Sequence, residues 1–281
     1  MNIIDEITSE PLASPADLIE KYEESLNEPS ARWAFRGQSQ AYGTLVPSFQ
    51  RIFGQKHYIG AAEVIEQDLI KTFRKHYATL PGKTDGMPPP DSLGPGYNLR
   101  CLSVMQHYSV PTRLLDWTSD FWTAVYFACA GDPTKEAELW VYDRTIFGNQ
   151  LNERPDLRSL TQRSIPGSPP PPEPDLLAQR GGSLIFELDP QITPRMKQQF
   201  AHHTLSSDIF ADHAPLLFNL GGQNENLIGL KRALIASGCK KNVLRFLEEQ
   251  RGVTAGTIFP DVEGLSKFLH WHLESMITTL L

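Results

Sequence analysis

An α+β fold is what the sequence predicts: a single compact domain whose central sheet, mixed or antiparallel, is surrounded by helices. Three observations carry that reading. Helical-period segments and short aromatic or branched runs both occur, but without the regular alternation that a parallel βαβ sheet requires. Long proline- and glycine-rich loops interrupt them, and no internal repeat is present. With 281 residues, 40% hydrophobic and 21% charged, the chain can bury a substantial core, and wholesale disorder is excluded.

Taken in order, Ser14-Pro15-Ala16-Asp17 reads as an N-cap, a first-turn proline and an acidic first turn, opening a helix to about Leu26 with Leu18, Ile19 and Tyr22 on one face. Residues 1–30 therefore form an N-terminal helical segment ahead of the main domain at 31–281. Trp33-Ala34-Phe35-Arg36 is a short strand that Gly37 is expected to stop. Residues 60–80 have helical spacing at Ala61, Val64, Ile65, Leu69 and Phe73. From Pro81 to Gly96, five prolines and four glycines predict a loop. Cys101 to Tyr108 reads as helix, Val110 to Trp117 as extended or irregular, and Ser119 to Cys129 as helix, with Thr118 a candidate N-cap. ELWVYD (138–143) and SLIFEL (183–188) are strand candidates. Between them, the run at 164–175 is polyproline II or a stiff surface insertion. Residues 227–236 fit strand or helix equally. Val243, Leu244, Phe246 and Leu247 mark a helix closed by Gly252, and Leu265, Phe268, Leu269, His272, Leu273, Met276 and Ile277 a C-terminal amphipathic helix capped by Asp261.

Composition narrows the function. Twenty-six basic against 33 acidic side chains leave a net charge of −7, which argues against a chain that coats duplex nucleic acid while permitting a local basic groove. No apolar run reaches the roughly 18–20 residues that span a bilayer, so no membrane partner is expected. The N-terminus has no basic n-region or apolar h-region, and the expected location is the cytoplasm. Cys101, Cys129 and Cys239 are odd in number and contain no CxxC pair, against a disulfide framework or thiolate zinc site. Nucleotide-binding glycine loops, HExxH and GxSxG are all absent. His202, His203 and His213 lack regular ligand spacing and are expected in a loop, so no metal is predicted.

Four segments could carry chemistry. In Phe35-Arg36-Gly37-Gln38, an arginine at a strand end offers a planar fork to phosphate or carboxylate, and glycine permits close ligand approach; a loop-tying arginine is the structural alternative. In Met105 to Thr118, His107 is a candidate acid or base. Asp116 would orient His107, or pair locally with Arg113 and merely fix a loop. Ala178-Gln179-Arg180-Gly181-Gly182 precedes a strand and could present an amide and bare backbone donors, or be an ordinary turn. IFPDVEGL at 258–265 reads as the start of the last helix.

These blocks together resemble the FRG domain family, named for its Phe-Arg-Gly motif. The resemblance rests on Phe35-Arg36-Gly37, LVPSFQR (45–51), MQHYSVPTRLLDWT (105–118) with the following AVYFA, Gln179-Arg180-Gly181, and IFPDVEGL, from about residue 31 to 270. It implies a bacterial or phage protein, often encoded near mobile or defence genes. The block order is also similar to that of ADP-ribosyltransferase-like enzymes, with Arg36, then Thr118 or Ser119, then Gln179. That similarity implies an ADP-ribosyltransferase-like fold and an NAD-consuming transferase or glycohydrolase, acting as a toxin or defence effector, with NAD as substrate. Catalysis would fall to Arg36, His107, Asp116 and Gln179. Arg36, Gly37, Gln38, Tyr108, Arg113, Trp117, Thr118 and Ser119 would bind the dinucleotide, Tyr108 or Trp117 by stacking. Gln179 is followed by Arg180 and Gly181, so that position carries no Gln-x-Glu; Asp116, or less directly Glu187, would supply the missing charge. The alternative is a non-enzymatic module that binds a nucleotide, another phosphate-bearing small molecule or a nucleic-acid end, with Arg36, Arg51 and Arg113 on the phosphates. A protein or nucleic-acid target would complete either reading.

Overall fold

A computed structural model describes residues 11–26, 32–53, 59–80, 95–148, 184–188, 193–221 and 229–280. The 164–175 run, Gln179 and nearly all of the 81–96 loop lie outside them. Residues 95 and 96 instead open a helix, proline suiting the first turn, where its missing N–H costs nothing.

In chain order the elements are α1 (Pro15–Leu26), β1 (Trp33–Gln38), α2 (Ser48–Phe53), α3 (Ile59–Tyr77), α4 (Pro95–His107), β2 (Leu114–Thr118), α5 (Phe121–Cys129), β3 (Ala137–Asp143), β4 (Ile185–Leu188), α6 (Pro194–Gln198), β5 (Ala201–Ser206), α7 (His213–Gly221), β6 (Lys231–Ile235), α8 (Lys240–Phe246), α9 (Ala255–Ile258) and α10 (Val262–Leu280). The six strands form one sheet in the order β4-β5-β2-β1-β3-β6, and every pairing is antiparallel. The fold is α+β, with helices packed on both faces of that sheet. Among the described residues no helix is long and apolar enough to cross a membrane.

Alternation along the strands divides the core. On one face α5 packs over β1 and β3 through Phe35, Phe121, Val125 and Leu139. Further along that face, α3 and α4 pack Ile70, Leu102 and Met105 over Leu114 and Leu205. The opposite face carries Ala34, Trp117, Trp140 and Tyr142 beneath α7. All three cysteines are free and buried, and burial pushes the thiols of Cys101 and Cys129 up to about 12, leaving them unreactive.

Several local expectations are corrected. Gly37 does not stop β1, which continues to Gln38; its missing side chain admits α5, since a Cβ there would lie 1.9 Å from the Ala124 carbonyl oxygen. The close approach that glycine permits is therefore a helix's. The buried face of α3 is Ala62, Glu66, Ile70 and Tyr77, while Val64 and Ile65 are exposed. That face is turned because it must bring Glu66 to a buried arginine. The irregular stretch before Trp117 ends in a true strand, β2, and the ambiguous 227–236 segment contains β6. Asp120, not Thr118, caps α5, its carboxylate accepting from Thr123 N at 2.8 Å. His202 and His203 lie on β5 and His213 opens α7, rather than sitting in a loop.

Candidate functional site

β1 and β2 share a single register pair, Phe35 with Thr118, whereas β1 and β3 pair along six residues. Over this short seam lies a cleft of about 270 Å³. β1 contributes Arg36 and Gly37, the end of α4 contributes Gln106 and His107, and β2 contributes Asp116 and Thr118. Arg195 and Gln199, at and just after α6, and His203 of β5 complete its polar lining, and Phe127 of α5 forms an apolar wall. Ser109 and Phe200, the two non-glycine residues with positive φ among those described (60° and 47°), sit in the turns leading into β2 and β5. Ser109 itself lines the cleft. Such local strain persists where the surroundings over-determine it, as around ligand sites.

Asp116 is the most elaborately held of these groups. Gln106 Nε2 donates to its Oδ2 at 2.8 Å, and His203 Nδ1 stands 3.1 Å from its Oδ1. Thr112 donates to Gln106 Oε1 at 2.6 Å, which fixes the amide so that its NH₂ faces the carboxylate. The Asp116 side chain is 54% exposed, so it looks into the cleft and solvent screens it. The surrounding protein desolvates the carboxylate, which works against its ionisation. The His203 contact, the charges of His203 and Arg36, and the Gln106 amide outweigh that and hold its pKa below the usual carboxylate value. His203 is only 2% exposed and its Nε2 has no hydrogen-bond partner among the described residues.

Arg36 crosses the seam, donating from Nη1 to the Asp116 carbonyl at 2.7 Å. Its Nε is buried without a partner among the described residues. Burial draws its pKa down, Asp116 opposes that and Arg51 reinforces it, but a guanidinium remains charged. Arg195 contacts the Phe259 ring, 4.2 Å from its centroid, and no ion pair or side-chain hydrogen bond engages its guanidinium among the described residues. The cleft thus presents two cationic forks beside one ionised, rigidly positioned carboxylate. Such a set binds anions and stabilises a cation formed next to them.

The other expected residues divide sharply. His107 and Thr118 reach the cleft, although the Thr118 hydroxyl also ties the strand end, donating to the Gln199 carbonyl at 2.6 Å and accepting from Asp120 N. Tyr108 is half exposed beside His107 and Tyr77, outside the lining. Trp117 borders the cleft, but its indole is 2% exposed and packs into the opposite core, donating to Thr204 at 2.9 Å; it cannot stack on a ligand. Gln38 is buried and donates to the Thr44 carbonyl. Ser119 meets His202 Nε2 at 2.5 Å, away from the cleft.

Arg113 does not pair with Asp116. Just ahead of β2, it is sequestered by Glu66 through a two-pronged ion pair and donates to the Ser206 and Ser207 carbonyls. Arg51 donates to the Val46 carbonyl. Glu187 is occupied by Tyr142 and Arg144. Among the described residues no group of three or more histidine, cysteine or acidic side chains is placed to hold a metal.

Sequence reasoning missed Gln106, Arg195 and Gln199 as site residues, and gave His203 only a metal reading. Antiparallel register sets His203 opposite Asp116 across 87 residues of chain, so no local pattern could reveal the pair. Gln106 carried a signal, lying within the same block as Asp116.

Residues 31–137 match the family model described as FRG domain, a shorter span than the resemblance suggested. That span includes Arg36, Gln106, His107 and Asp116, whereas Arg195, Gln199 and His203 come from beyond it. No curated protein and no solved structure matches the chain.

Proposed function

Taking as premise that the chain carries an FRG domain, we propose that its cleft binds NAD and cleaves the bond between nicotinamide and ribose, transferring ADP-ribose to water or to an acceptor. The observation that carries this reading is the juxtaposition of Arg36 and the Asp116 carboxylate across one seam. Arg36 and Arg195 hold phosphate oxygens, fixing the ribose against Asp116. As the C1′–N bond breaks, its electron pair stays with the nicotinamide nitrogen and positive charge grows on the ribose. Asp116, held ionised and in place by Gln106 and His203, stabilises that charge. Water or an acceptor hydroxyl then attacks C1′ and gives up its proton to Asp116 or solvent. Asp116 thereby takes the part that a glutamate two residues after Gln179 would have played, where the chain has Gly181. An activity that drains cellular NAD fits a toxin or defence effector.

Proton NMR of the protein with NAD tests this by watching for free nicotinamide. Arg36→Ala and Asp116→Asn should each lower release by about 100-fold while retaining the native far-UV spectrum and a cooperative melting transition. Absence of both nicotinamide release and any NAD-induced shift of protein resonances would overturn it. A second reading, a phosphate-binding module without turnover, is favoured by the guanidinium of Arg195, which no ion pair engages among the described residues. It predicts nucleotide binding that weakens steeply between low and high salt, with no nicotinamide released.

A further inference from the structure

The cleft is not isolated. A larger groove of about 730 Å³ lies beside it, under α10, and Phe127 lines both. Phe259 forms part of the groove wall and is the ring on which the cleft residue Arg195 stacks, 4.2 Å from its centroid. Phe127 meets that ring edge-on, with centroids 5.9 Å apart at 89°. From the groove side, Lys267 Nζ lies 4.6 Å from the same centroid. The boundary between the two hollows is therefore an aromatic pair carrying a cation from each side. Glu263 neutralises Lys267 at 2.6 Å, while among the described residues no ion pair engages Arg195.

Size separates the two compartments. At about 270 Å³ the cleft is smaller than the roughly 300–1,000 Å³ typical of small-molecule sites, so it accommodates one half of a dinucleotide. The neighbouring groove is lined by Phe268 and Trp271 as well as Phe127 and Phe259. The indole of Trp271 is fixed by donation to Glu248 Oε2 at 2.8 Å. Rigid aromatic walls of this kind suit a flat heterocycle, and a base stacked on an aromatic side chain gains affinity whatever its identity.

We infer that cleft and groove form one two-compartment site, in which the aromatic groove under α10 receives the purine base of the same ligand whose nicotinamide riboside occupies the cleft, with the diphosphate crossing at Arg195. The occupant follows from continuity. A ligand held in the cleft through its phosphates can leave past the Arg195–Phe259 boundary only into this groove or into solvent. The inference rests on the NAD reading above and adds a residue set to it, from α9 and α10, that lies outside the matched family segment.

The test compares NAD with nicotinamide mononucleotide, which lacks the adenylate half. Calorimetric titration in the Asp116→Asn protein avoids depletion by turnover. NAD should bind about tenfold to a hundredfold more tightly than the mononucleotide. Ser266→Trp, which fills the groove from an exposed position on α10, should abolish that increment and leave mononucleotide affinity unchanged. Phe268→Ala should act in the same direction, and because Phe268 also packs on its neighbours, Ser266→Trp keeps the test independent of folding. Equal affinities for the two ligands, insensitive to Ser266→Trp, would overturn the inference while the NAD reading stands. An equal loss of both ligands in Ser266→Trp would also overturn it, since the effect would not be confined to the adenylate half. Failure of both ligands to bind would remove the NAD reading and the inference with it.

Discussion

Two arginines flank the same strand of the sheet and meet opposite fates. Arg113, immediately before β2, is 1% exposed and fully engaged, with both Glu66 oxygens and two backbone carbonyls around its guanidinium. Arg36, on the neighbouring strand, spends Nη1 on a carbonyl and leaves Nε without a partner among the described residues, beside a carboxylate that stays half open to solvent. Both belong to the motif blocks that single out this sequence. The saturated pair locks α3 to the sheet, whereas the other leaves hydrogen-bonding capacity uncommitted among the described residues. In this chain, then, a motif arginine is assigned by what remains unsatisfied around it, since a buried, satisfied ion pair has nothing left to offer a ligand.

The largest effect expected from this contrast is on stability. Glu66→Ala strands a buried guanidinium and should cost about 3–5 kcal/mol by denaturant unfolding, whereas Arg36→Ala, which loses one hydrogen bond to a carbonyl, should cost about 1 kcal/mol. Equal costs for the two variants would break the comparison. The next effect is a pH dependence. Burial first, then the positive field of Arg36 and Arg113, depresses His213 to about 3. Burial first, then Arg144 and His203, depresses His202 to about 3 as well. Both imidazoles are neutral in the folded state, while in the unfolded chain they take up protons below about pH 6.5. Stability must therefore fall as pH drops through the window from about 6.5 towards about 3. The slope is about 1.4 kcal/mol per pH unit for each histidine, and His213→Gln should remove one of the two contributions. A flat melting temperature across that window would contradict their burial in the neutral form.

Gln106→Ala should change stability as little as Arg36→Ala, about 1 kcal/mol, yet it sharpens the comparison most directly. Removing its amide takes away one of the contacts that hold the Asp116 pKa down. An activity that needs ionised Asp116 should then lose its acid side at a higher pH than in the unaltered protein. A purely structural Gln106 would lower activity at all pH values without moving that limb.

Much of the secondary structure was legible. The strands around Phe35, Trp140 and Phe186, the helix over Ala124, and the Gly252 closure with φ 65° all follow from short-range periodicity, caps and a left-handed glycine. Errors arose where long-range packing set the answer. The face of α3 turned towards Glu66 instead of Val64 because Arg113 needed a carboxylate. Trp117 and Gln38 sit in motif blocks and look like ligand contacts, but strand alternation sends both side chains into the interior.

By itself the sequence determined the α+β class, the identity of most helices and strands, and the blocks that contain Arg36, His107 and Asp116, because these depend on patterns within about a dozen residues. Only the tertiary structure decided which charged groups are satisfied and which are free. It paired Arg113 with Glu66, set His203 against Asp116, and brought Arg195 to the cleft from beyond the matched segment. The physical reason is that sheet register and helix packing place residues distant in the chain within hydrogen-bond reach, and satisfaction of a buried polar group depends on that three-dimensional neighbourhood.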